Sequence, residues 1–128
     1  MDTKPPILIA EDEFMLTMLL EHILNRNGYE DLHFVKTGDE AVEKAREVNP
    51  SLILMDIFLE GSLDGIDAVQ EIRNFNMAPV IYITGNSDYL TKSRAMDTGP
   101  SSYIVKPIDP EELMELVRDK LGESSNKE

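Results

Sequence analysis

Five short strand-like runs, four of them cut off on the carboxyl side by a chemically pointed residue, constrain this chain more than any other feature. Ile7–Ala10 stops at Glu11-Asp12-Glu13, the run 51–55 at Asp56, the run 80–83 at Thr84 and the run 103–105 at Lys106, while Leu32–Val35 is the fifth. An unbroken apolar run of this length fits a strand buried on both faces, as in a parallel sheet. Between the runs the periodicity turns helical. Leu16, Leu19, Leu20 and Ile23 mark one face of a helix over 14–27, with Gly28 suited to its C-terminal cap. A second helix opens at Gly38-Asp39-Glu40 and ends before Asn49-Pro50, and a third over 65–75 carries Ile66, Val69 and Ile72. The fourth, 87–98, is closed by Gly99, and the last, 110–121, begins with Pro110 in the favoured first turn. Five strands alternating with five helices predict an α/β domain: a doubly wound, five-stranded parallel sheet with helices on both faces.

Length and composition agree. A chain of 128 residues is the size of one domain, and a hydrophobic fraction of 41% supports a core despite a net charge of −13. The expected organisation is one domain over 1–121 and a polar, fraying stretch over 122–128, with no long linker and no output domain attached. The absence of cysteine excludes a disulfide scaffold, a thiolate metal site and a cysteine nucleophile, and suits the reducing cytoplasm. With 25 acidic against 12 basic side chains, the domain is expected to bind neither nucleic acid nor an anionic membrane. No apolar run approaches the ~18 residues of a span, and Met1-Asp2-Thr3-Lys4 does not open a signal peptide.

In open parallel sheets, ligands bind outside the carboxyl ends of the strands, where the strand order reverses. With the order 2-1-3-4-5, Glu11, Asp12, Asp56, Thr84 and Lys106 converge there although they span most of the sequence. Three carboxylates side by side repel one another and call for a hard cation or raised pKa values. Mg²⁺ fits, because it takes a few oxygen ligands and keeps positions for water and a phosphoryl oxygen. His22 and His33 have no partners at ligand spacing and are not read as metal ligands.

Taken together, Ile7-Leu-Ile-Ala-Glu11-Asp12-Glu13, Leu52-Ile-Leu-Met-Asp56-Ile57, Asp64-Gly65, Val80-Ile-Tyr-Ile-Thr84-Gly85 and Tyr103-Ile-Val-Lys106-Pro107 resemble the response-regulator receiver domain over roughly residues 6–121. The resemblance implies a flavodoxin-like (βα)5 fold and a part in a two-component phosphorelay. It implies that Asp56 accepts a phosphoryl group from a histidine kinase or histidine phosphotransfer protein. Mg²⁺, with Mn²⁺ as a substitute, is implied on Asp12, Asp56 and the backbone carbonyl of Phe58, with Glu11 acting through a bound water. Lys106 matches the cation that pairs with Asp56 and then with the phosphoryl oxygens. Thr84 matches the hydroxyl that bonds the phosphoryl group, and Tyr103 the aromatic switch that follows it. Phe58 and Asn86, two positions after Asp56 and Thr84, overlook the approach of hydrolytic water. Phe14, Met15 and Met18 either pad the core or, with Pro107, form a docking patch for the phosphodonor, a use that adaptable methionines suit.

Two departures from the family pattern stand out. The stretch 57–64 lacks the usual proline and is one residue longer than the commonest form. Gly99-Pro100-Ser101-Ser102 lacks the acidic pair of DNA-binding regulators that dimerise through the fourth helix and fifth strand. Two rival functions fit the sequence less well. A phosphohydrolase with an aspartyl nucleophile typically carries a second Asp two residues on, where this chain has Phe58. A pseudo-receiver normally lacks an acid or the lysine, and here none is missing.

Overall fold

The computed structural model describes residues 4–85 and 89–123. Its elements run β1 (Ile7–Ala10), α1 (Phe14–Arg26), β2 (Leu32–Val35), α2 (Gly38–Val48), β3 (Leu52–Asp56), α3 (Gly65–Ile72), β4 (Val80–Thr84), α4 (Tyr89–Met96), β5 (Ser101–Val105) and α5 (Pro110–Lys120). All strand pairs are parallel and the order is β2-β1-β3-β4-β5, as expected from the alternation of elements. Each strand sends alternate side chains to opposite faces. Leu8, Ala10, Ile53, Met55, Val80 and Tyr82 pack under α2, α3 and α4, whereas Ile7, Ile9, Leu52, Leu54, Ile81 and Ile83 pack under α1 and α5. Burial on both faces is why β1, β3 and β4 read as unbroken apolar runs.

Local chemistry sets the ends of the helices. Thr37 caps α2 by accepting from the Glu40 N–H at 3.1 Å, and Asp64 and Asp67 form a reciprocal capping box on α3. Asp109 caps α5 ahead of Pro110. Gly65, the first residue of α3, sits so close to the end of β3 that a Cβ there would overlap the Asp56 carbonyl oxygen and lie 2.9 Å from Ile57 Cα. Its N–H donates to the Ile57 carbonyl at 2.7 Å, which closes the loop between the two elements.

Several boundaries differ from the sequence expectation. Helix α3 stops at Ile72 rather than 75, because Asn74 and Phe75 donate three residues back, to Glu71 and Ile72, in a tightening turn. Arg73 fixes that turn: its guanidinium donates to the carbonyls of Thr98 (2.5 Å), Ala78 (2.7 Å), Asn76 (3.2 Å) and Pro100 (3.2 Å). Strand β5 begins at Ser101, not 103, because Ser101 and Ser102 pair with Val80 and Ile81 although their side chains are polar. Helix α4 is described from Tyr89 and ends at Met96, so its expected start at Ser87 lies outside the described residues. On α1 the buried stripe is Leu20, Ile23 and Leu24, while Leu19, expected inside, is 40% exposed. Glu123, expected to fray, instead accepts from the buried Tyr29 hydroxyl at 2.6 Å and from Lys4 at 3.2 Å.

Helix α4 is the least embedded element. Ala95 alone among its described residues is buried, against Ala41, Val42 and Ala45 in α2 and Ile66, Ala68, Val69 and Ile72 in α3. Arg94 reaches from it to Asp64 (3.7 Å) and Asp67 (3.5 Å) at the start of α3, and Lys92 Nζ lies 5.4 Å from the centroid of the Tyr103 ring on β5.

Candidate functional site

Strand register brings the polar ends together. Ala10 lies opposite Met55, so Glu11 and Asp56 follow at one level, and Asp56 in turn lies opposite Ile83, just before Thr84. The Lys106 N–H donates to the Thr84 carbonyl at 2.8 Å, which anchors the start of the last loop beside the other three. One carboxylate oxygen each from Glu11, Asp12 and Asp56 falls within 4.8 Å of the others, the single such acidic, histidine or cysteine group among the described residues. Glu11, Asp56 and Thr84 are buried, and Asp12 is exposed.

The two oxygens of Asp56 are held differently. Oδ1 accepts from the Phe58 N–H at 3.0 Å, and Oδ2 faces Lys106 Nζ at 3.5 Å. Lys106 is shared, lying 3.8 Å from Glu11 Oε1 and 3.4 Å from Glu13 Oε1. Burial alone pulls its pKa down, but the carboxylates of Asp56, Glu11 and Glu13 outweigh that and leave it raised. Glu11 carries the opposite stress. Burial and then the Asp56 carboxylate push it up to about 7, against the Glu13 N–H, which donates to its Oε2 at 3.0 Å, and against Lys106. Glu11 Oε1 is buried and makes no hydrogen bond. A buried oxygen without a bond, beside two further carboxylates, is the donor set a hard divalent cation satisfies, so these residues fit Mg²⁺.

The remaining expected residues fall as follows. Tyr103 is half-buried on β5, opposite Tyr82 of β4. Phe58 is 52% exposed, while its neighbours Ile57 and Leu59 are buried. The longer loop is pinned by Leu63, whose backbone packs on Gly38, and by Ser62, which bonds Asp39 at 3.2 Å, with Gly61 at a positive φ of 107°. Asn86 lies outside the described residues. Phe14, Met15 and Met18 are exposed by 71, 76 and 51%, so they do not pad the core, and Pro107, joined to Lys106 by a cis bond, is exposed as well. His22 is exposed, and His33 pairs with Asp31 at 2.7 Å on the far edge of the sheet, away from the acidic group. The role of Glu13 is not legible in the sequence, where it is only part of the acidic stop after β1. Its partner Lys106 is 93 residues away, and nothing local signals the pairing.

Comparison with known proteins agrees with this geometry. The response regulator receiver domain family matches residues 7–118. The transcriptional regulatory protein PdtaR of Mycobacterium tuberculosis is 38% identical over 111 residues, covering 87% of this chain and 54% of that protein. ResD of Bacillus subtilis, also a transcriptional regulatory protein, is 34% identical over 119 residues, covering 93% and 49%. The chain thus spans about half the length of these curated relatives. Among solved structures, the receiver domain of the sensor histidine kinase PA1611 from Pseudomonas aeruginosa PAO1, with magnesium in its active site cleft, superposes with a TM-score of 0.84. It is 30% identical, covering 94% of this chain and 99% of that one. The chain belongs to the response regulator receiver domain family of two-component signalling.

Proposed function

We propose that this domain, over residues 1–121, accepts a phosphoryl group on Asp56 from a histidine kinase or histidine phosphotransfer protein, and that it is a signalling module rather than a turnover enzyme. The observation that carries this reading is Lys106 within 3.5 Å of an Asp56 carboxylate that two further acids crowd. In the transfer, an Asp56 oxygen bonds to phosphorus as the P–N bond to the donor imidazole breaks, and the imidazole keeps the electron pair. Glu11, Asp12, Asp56 and the Phe58 carbonyl would hold Mg²⁺ or Mn²⁺, which neutralises charge developing on the phosphoryl oxygens. Lys106 supplies a fixed positive charge on the same oxygens. Thr84, buried at the end of β4, would donate to the product, and Tyr103 on the neighbouring strand would carry that change to the surface of α4 and β5.

The phosphodonor would meet the exposed Phe14, Met15, Met18 and Pro107, of which Phe14 lines a cleft with Glu11 and Asp12 and Pro107 follows Lys106 directly. The negative charge of the domain supports a protein partner over nucleic acid, and the downstream partner is likewise a protein. Among the described residues no helix is long and apolar enough to cross a membrane, and a cytoplasmic site of action suits a kinase-driven relay.

Intact mass after incubation with Mg²⁺ and a small phosphodonor tests the reading. Wild type is expected to gain one phosphoryl group, and Asp56→Asn none. Continuous release of inorganic phosphate with no phosphorylated species accumulating in the mass spectrum would favour a phosphohydrolase. No gain in mass with any donor would favour an interaction module that is never phosphorylated.

The lifetime of the phosphorylated form rests on Phe58. The pinned loop buries Ile57 and Leu59 and leaves Phe58 outward, which supports its shielding the phosphoryl group from in-line water. Phe58→Asn, which can orient such a water, is expected to shorten the lifetime about tenfold, equivalent to ~1.4 kcal/mol of barrier. Decay measured after donor removal checks this, and an equal or longer lifetime in the variant would remove the shielding role.

A further inference from the structure

Lys106 is the one cation near the acidic cluster among the described ion pairs, and its shortest ion pair is not with Asp56. Nζ lies 3.4 Å from Glu13 Oε1, where it donates a hydrogen bond, against 3.5 Å to Asp56 and 3.8 Å to Glu11. Glu13 stands at the N-cap of α1, where a side chain usually accepts from the first turn, yet it makes no such cap bond. Its backbone N–H is committed to Glu11 Oε2 instead, which fixes the residue beside the cluster. The side chain, 64% exposed, leans to Lys106 from the solvent side, whereas Asp56 is buried beneath.

We infer that Glu13 is a positioning residue that competes for Lys106 and restrains phosphorylation. This rests on Asp56 being the phosphoacceptor. Two effects act in the same direction. The ammonium is drawn toward solvent and shared by three carboxylates, so less of its charge reaches the phosphoryl oxygens. Glu13 also adds a negative charge near the path of an anionic donor, in a region where Glu11, Asp12 and Asp56 already outnumber the single lysine. Transfer then requires Lys106 to leave Glu13 for the phosphoryl group.

Glu13→Gln removes the charge and keeps the length. Glu13→Asp keeps the charge but, one methylene shorter, loses the contact. The first measurement needs no phosphorylation: the NMR signal of the Lys106 ammonium in the unmodified protein. It is expected to shift in both variants, and an unchanged signal in Glu13→Gln would overturn the pairing. The second is the rate of mass gain with a small anionic phosphodonor and Mg²⁺. Glu13→Gln is expected to be about three- to tenfold faster than wild type, and Glu13→Asp intermediate. An equal or slower rate in Glu13→Gln, with the signal shifted, would overturn the restraint. If wild type and both variants gain no mass, the phosphoacceptor reading and the restraint built on it fall together, while the NMR result still decides the pairing.

Discussion

Gly65→Ala is expected to lower stability by more than about 4 kcal/mol, a Tm loss on the order of 12 °C or more. Helix propensity alone argues the other way, since Ala is better than Gly in a helix by up to ~1 kcal/mol. Space decides, because the new Cβ would overlap the Asp56 carbonyl and crowd Ile57 Cα at 2.9 Å. Both obstacles are backbone, so no rotamer change relieves them. The chain must instead part α3 from the end of β3, which carries Asp56. Gly85→Ala is the control: nothing lies within 4 Å of its Cβ position, and a change within about 0.5 kcal/mol is expected. Thermal denaturation of the two variants decides it. A Gly65→Ala protein as stable as wild type would mean that propensity, not close approach, sets the preference there.

Arg73→Ala is expected to cost about 3 kcal/mol, with Tm lower by roughly 10 °C. The guanidinium satisfies four carbonyls drawn from two separate connections, 73–79 and 97–100, and it makes no ion pair among the described residues. A hydrogen bond from a charged donor is worth about 1.5–3 kcal/mol, but the group is half-buried and water recovers part of the loss in the variant. Arg73→Lys should recover little, since one ammonium cannot reproduce a planar fork of donors. Urea titration with an unchanged m-value would assign the loss to the folded state. A loss below about 1 kcal/mol would show that water replaces the fork at no great cost.

These two residues also mark where the sequence was legible and where it was not. The strands and the acidic cluster could be read because one boundary does two jobs. Ile9-Ala10 and Met55 must be apolar to sit within the sheet, and Glu11 and Asp56 follow at once where the sheet opens to the ligand side. Arg73 carries no local signal, since the carbonyls that hold it belong to residues 76–100. Ser101 and Ser102 hid the start of β5 because an edge strand has one neighbour and tolerates polar side chains. Leu19 read as core from its spacing, yet the stripe on α1 is centred on Leu20, Ile23 and Leu24, and only packing against β1 and α5 chooses between them. The Glu13–Lys106 pair is the same case at the site itself: the partners are distant in sequence, and neither carries a local signal.

The shallow seating of α4 has an energetic consequence. A covalent mark redistributes conformations only as far as its preference for one of them reaches, and turning a 1:99 mixture into 99:1 takes about 5.5 kcal/mol. Displacing α2 or α3 would expose several apolar side chains at about 1.5–3 kcal/mol each, beyond what one phosphoryl group supplies. Displacing α4 exposes Ala95 and the partly buried Met96 and breaks exposed ion pairs worth under about 1 kcal/mol each. Among the described helices compared, α4 is the inexpensive one to move, and a phosphoryl group accepted at Asp56, as proposed, would be read out where the frame resists least.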